Sequence, residues 1–245
     1  MKTFLFAVCF TAILAAVAHS APIAYEGVQY LPGPLNGKGP AGGFALPWTA
    51  DPGVAVVAAG LSSPLALPSA GGAVSGFFDS VDPLINTIAP LPGREFWASF
   101  LLFHSGPNDQ TFMGLSPAGA PLGSLPSAAF GVRLGQYGIF VGSTFTASGK
   151  PFTPAGATDL LVAHFVAGGA VWNVSLFVNP SAFVIPDLAM AVPPATYGTL
   201  VNQNQAQFES DEFRLGDTAA DVSAGGVTPA ANSTWMAAGC FARVA

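Results

Sequence analysis

The stretch "DLLVAHFVAGGAVWNVSLFVN", residues 159–179, decides the fold. In its second half Trp172, Val174, Leu176 and Val178 fall on one side of an extended chain, and Asn173, Ser175 and Asn179 fall on the other. Side chains alternate across a strand, so this period of two is the mark of a strand with one buried face. The first half, 159–167, is apolar at nearly every position, as in a strand covered on both sides. Gly168 and Gly169 separate the halves and supply the turn of a hairpin.

Working outward, the same grammar recurs. "FWASFLLF" (96–103) is apolar at nearly every position. "AFGVRLG" (129–135) alternates and is followed at once by "YGIFVGSTF" (137–145), its expected hairpin partner. "QFESDEFRLG" (207–216) reads as a last strand. The 29 Gly and 22 Pro are spread along the whole chain and leave little room for long helices. Many short strands between such breaks imply an all-β fold: a two-sheet antiparallel jelly-roll β-sandwich. A membrane barrel fits less well, because its strands are long, regularly alternating and girdled by aromatics.

Residues 1–20 have the layout of a secretory signal. Lys2 precedes the apolar run Phe4–Val17, and Ala18 and Ser20 offer small residues at the cleavage point. Export to the outside or to the cell surface is expected. Cleavage there would remove Cys9 and leave Cys240 as a lone thiol, so no internal disulfide is expected. No later stretch reads as an uninterrupted apolar span. The sandwich is placed at 21–223, and the Gly/Pro/Ala-rich 224–245 is read as a loose tail.

Only 8% of the 245 residues are charged, with 13 acids against 7 bases. That balance lacks the basic patch that nucleic acid or an anionic membrane requires. Yet Glu209, Asp211, Glu212, Asp217 and Asp221, with Arg214, crowd into 207–222. A retaining glycosidase needs two carboxyl groups facing each other across a cleft. Glu209-Ser210-Asp211 begins such a pattern, but Arg214 stands where a last Glu would donate the proton, and guanidinium cannot do so. No Gly-x-Ser-x-Gly, no pair of His at metal spacing and no Asp-rich calcium loop is present. The expectation is a protein that is not an enzyme. His104 reads as a solvated strand end and His164 as a hydrogen-bonded inner histidine; Trp97 and Trp172 read as core.

Several segments in chain order carry a family resemblance: "AYEGVQYLPGPLNG" after the leader, "GGFALPW" at 42–48, "FWASFLLF", 159–181, and "SDEFRLGDTAADV". Together they resemble the concanavalin A-like, laminin-G-type jelly-roll modules of exported bacterial proteins, of the kind that carry a PEP-CTERM sorting tail. The ending "WMAAGCFARVA" departs from that tail. The resemblance implies two stacked sheets and export, and no particular reaction, since one fold hosts many functions.

The resemblance also implies a structural Ca²⁺ between the last strand and the N-terminal segment, with Asp211 as a ligand and Glu26 as the second candidate. Carboxylate oxygens suit that ion. The competing reading is that Asp211 caps backbone N–H groups while Glu212 pairs with Arg214. For carbohydrate, Trp48 and Trp235 lie in Gly/Pro-rich loops where a ring could stack on sugar, and Asn202 and Asn204 offer amides to hydroxyls. Asn173 and Asn232 sit in N-x-S/T sequons. The expected role is an exported module that binds a polysaccharide or glycan surface without catalysis. The alternatives are a structural surface or matrix protein with no small ligand and, more remotely, a glycoside hydrolase.

Overall fold

The computed structural model describes residues 22–65, 69, 71–76, 78–104, 110–152, 156–204 and 208–223. Sixteen strands run through them. In chain order the first eight are β1 (Ala24–Glu26), β2 (Gly33–Pro34), β3 (Thr49–Ala50), β4 (Ala55–Val57), β5 (Ala73–Ser75), β6 (Phe78–Ile88), β7 (Glu95–His104) and β8 (Gln110–Ser116). The rest are β9 (Ala128–Arg133), β10 (Gln136–Val141), β11 (Thr144–Pro151), β12 (Thr158–Ala167), β13 (Trp172–Val178), β14 (Leu188–Val192), β15 (Tyr197–Asn204) and β16 (Phe208–Gly216). The one helical turn among the described residues is the short 3₁₀ segment Ala219–Val222. The proposed leader 1–20 and the tail 224–245 lie outside the described residues.

The strands form two antiparallel sheets. The larger has nine, in the order β14-β13-β12-β7-β16-β5-β4-β2, with β1 also on β16. The smaller has seven, β11-β10-β9-β8-β15-β6-β3. The hairpins expected at 129–145 and 159–179 are both present, as β9–β10 and β12–β13.

Alternation explains how the layers pack. On β7, Phe96, Ala98, Phe100 and Leu102 face the main core between the sheets. Leu101, Trp97 and Phe103, on the opposite face, belong to a second apolar cluster with Leu61, Ala73 and Val222. The nearly continuous apolar run 96–103 is therefore packed on both sides, as its composition implies. Inside the main core Phe96, Phe165, Trp172 and Tyr197 form one aromatic block, with Phe96 and Phe165 stacked at 4.4 Å. Each such ring contributes about 1.5–3 kcal/mol by burial.

β16 departs from simple alternation. Asp211 pairs with Leu101 and Arg214 with Ser99, so the stretch 211–214 carries one more residue than the β7 stretch it faces. Glu212 takes up the excess with φ 55°. Such a bulge shifts the strand by one and exchanges its faces. Phe208 before it, and Phe213 and Leu215 after it, all reach the main core. Asp211 and Arg214 share the other face. Plain alternation from 209 to 215 would have put Asp211 on the side of Phe213, and the bulge corrects that expectation.

Candidate functional site

The acidic stretch is built into the body of the protein. Glu212 and Arg214 are buried, and Arg214 Nη2 donates to Glu212 Oε2 at 2.7 Å. The guanidinium lies 4.9 Å over the Tyr25 ring, whose hydroxyl donates to Glu212 Oε1 at 3.2 Å. Burial, with the neighbouring Glu212 charge, drives the Tyr25 pKa upward. Asp211 is also buried, and it caps backbone. Its Oδ2 accepts from Leu61 N at 3.0 Å and its Oδ1 from Glu212 N at 2.7 Å. Burial pushes its pKa up to about 8, against the pull of those two N–H groups.

Glu26 lies on the other side of the sheet. It pairs with Phe213 across β1–β16 and faces the main core. Its Oε1 accepts from Val28 N at 2.7 Å, and its Oε2 from Trp48 Nε1 at 3.1 Å and from the Tyr30 hydroxyl. Asp211 and Glu26 therefore occupy opposite faces of the same sheet, and their oxygens are aimed at N–H and O–H donors. They do not fit a shared calcium site. Among the described residues no three His, Cys, Asp or Glu side chains gather as a metal-holding group.

Three of the four carbohydrate candidates, Trp48, Asn202 and Asn204, are likewise internal. Trp48 is 1% exposed and packs 5.9 Å from the Phe213 ring. Asn202 and Asn204 project from β15 into the space between the sheets. Asn204 Nδ2 donates to Ser210 Oγ at 2.9 Å and to Val74 O at 3.2 Å, and Ser210 Oγ donates to Asn202 Oδ1 at 3.2 Å. These amides tie sheet to sheet and present nothing to a sugar. A loop Trp and two asparagines read as open to a sugar from sequence; tertiary packing encloses Trp48, Asn202 and Asn204. Trp235 falls outside the described residues, as does the side chain of His104.

An open site exists elsewhere, on the outer face of the larger sheet. Register lines up Gly216, Trp97, His164, Ser175 and Ala189 across five adjacent strands. The next row holds Glu95, Val166, Asn173 and Ala191. Trp97 is half-buried rather than core, and His164 lies flat against it, 3.9 Å between centroids and 7° between planes. His164 Nε2 meets Glu95 Oε2 at 3.1 Å; the Glu95 side chain is 56% exposed and that of His164 21%. Phe183 sits edge-on to Trp97 at 5.0 Å and to Phe177 at 5.3 Å, closing one flank. Asn173 is exposed and Ser175 half-buried.

Sequence reading assigned Trp97 and His164 to the interior because their strands are apolar at nearly every position and His164 alternates with Val162 and Val166. The missed signal is the pairing: Glu95 and Trp97 on one strand and His164 on another share a face only once the β7–β12 register is known. Four strands at ~4.8 Å spacing make a row of roughly 14 Å, with an aromatic pair at one end and hydroxyl and amide groups beside it.

No family model and no curated sequence matches the chain. Among solved structures it is similar to a sialidase at 14% identity and a TM-score of 0.41, covering 65% of this chain and 17% of that one. It is similar to the SPRY domain of human HERC1 at 13% identity and a TM-score of 0.39, covering 68% and 89%. It is also similar to the seed lectin of Lotus tetragonolobus at 12% identity and a TM-score of 0.36, covering 56% and 80%. The chain thus spans less than a fifth of that sialidase.

Proposed function

We propose that this protein is an exported, non-catalytic module that binds neutral polysaccharide on the outer face of its larger sheet. The observation that supports this reading is Trp97, half-open and stacked on His164, on the same sheet face as Glu95, Asn173 and Ser175. Binding sites combine apolar and aromatic surface with a few placed polar groups. A sugar ring has an apolar C–H face for the indole and a rim of hydroxyls for an acid, an amide and a serine. The open carboxylate of Glu95 and the chain's net charge of −6 disfavour acidic glycans.

Titration calorimetry against a panel of neutral and uronate-containing polysaccharides tests the reading. Wild type should bind at least one neutral member. Trp97→Ala and the exposed substitution Asn173→Ala should each weaken binding about tenfold or more, the equivalent of about 1.4 kcal/mol. No binding across the panel, or binding indifferent to both substitutions, would sink it. The first of those outcomes would favour a structural surface protein, a role in keeping with the exposed Leu31, Leu134, Val184 and Ile185.

A further inference from the structure

The open face around Trp97 has the shape of a corner. Its first wall is the helical turn Ala219–Val222, which folds back over the end of β16. A Cβ built on Gly216, the residue paired with Trp97, would lie 2.2 Å from Asp221 Cβ. Paired residues share a face, so Asp221 stands on the same side of the sheet as Trp97. Asp221 Oδ2 accepts from Thr218 N at 2.9 Å and from the Thr218 hydroxyl at 2.8 Å, which fixes the turn. Val222 is buried in the apolar cluster that Trp97 packs against. The second wall lies along the strands. Ser99, Val162 and Phe177 form the next row on this face, and all three are buried. Phe183 stands over that boundary, edge-on to both Phe177 and Trp97.

The other two sides are open. Toward β14 the rows end in the exposed Ala189 and Ala191, and among the described residues no strand pairs beyond them. Toward the strand ends, Gly168, Gly169 and Ala170 are exposed. Each open side therefore faces a wall. A sugar chain entering over β14 runs into the turn 219–222, and one entering over the β12–β13 hairpin runs into Phe183. We infer that this corner takes the terminal residue of a neutral polysaccharide and not the interior of the chain, an inference that rests on the polysaccharide reading of the face. An internal residue carries a glycosidic bond at both ends, and with its ring on Trp97 one of those bonds would point into a wall. A terminal residue carries one, which leaves over the open side. Such a clash against the wrong ligand is a source of specificity. The polar groups agree with that placement, because Ser175 and Asn173 lie on the β14 side of His164, along the way out.

Titration calorimetry on the full chain with pullulan, linear galactan and linear mannan, each as a short and a long fraction of narrow size, tests the inference. The two ends of a linear polysaccharide differ chemically, so one end fits the corner. Stoichiometry should be one protein per chain for both fractions of any polymer bound, and sites per gram should fall in proportion to chain length. Trp97→Ala and Asn173→Ala should each weaken both fractions about tenfold. A stoichiometry that rises with chain length overturns the inference and leaves the polysaccharide reading standing. One protein per chain with affinity indifferent to both substitutions also overturns it, because the end is then held elsewhere. Binding to none of the three polymers overturns it as well, and the wider panel then decides whether the reading beneath it falls too.

Discussion

At the scale of single residues, the molecule's few ionisable groups mostly hold it together. Asp82 is the exception. It is fully buried, and neither carboxylate oxygen has a hydrogen-bond partner among the described residues. Burial, with the Glu26 charge adding to it, pushes its pKa up to about 9. The folded chain therefore keeps a proton on Asp82 that the unfolded chain releases above about pH 4. Where the folded state binds more protons, stability falls as pH rises. Asp82 should lower stability steadily from about pH 4 to about pH 9, and Asp211 in the same direction up to about pH 8. The thermal midpoint should be several degrees higher at pH 5 than at pH 8.5. Asp82→Asn should flatten that dependence and raise the midpoint at pH 8.5; an unaltered slope would contradict the assignment. The capped geometry of Asp211 and Glu26 gives a second expectation. Melts with EDTA and with added Ca²⁺ should coincide, and a calcium-dependent rise of more than a degree or two would restore the ion-binding reading.

At the scale of elements, close approach of strands sets tolerance. A Cβ built on Gly131 would lie 2.0 Å from Thr111 O, a backbone atom of the neighbouring β8 that cannot swing aside. Gly131→Ala should cost at least about 2 kcal/mol, toward the severe end for single substitutions, and lower the denaturant midpoint without changing the slope. Patterning made the β7, β12 and β13 strands and the 159–179 hairpin readable, because alternation and paired glycines are local properties. It did not reveal the bulge at Glu212. Nothing in "SDEF" announces a residue at φ 55°, since that backbone is held by Asp211 capping Glu212 N and by the register against β7. The error was small in sequence and large in space, since one extra residue moved Asp211 from the core side to the outer side of the sheet.

For the whole molecule, the candidate binding face belongs to the larger sheet alone, and its two rows run from β7 across β12 and β13 to Ala189 and Ala191 of β14. Composition and period-two patterning by themselves determined that this chain is an all-β sandwich with a greasy interior and no basic surface, because strand formation and burial depend on which residues alternate within a few positions. Which acids are buried, which tryptophan stays half-open and which strand is left at an edge were decided only by the tertiary structure. Those properties arise where residues far apart in the chain are brought into register, and the energy of a buried carboxyl or an unpaired edge depends on what lies opposite it.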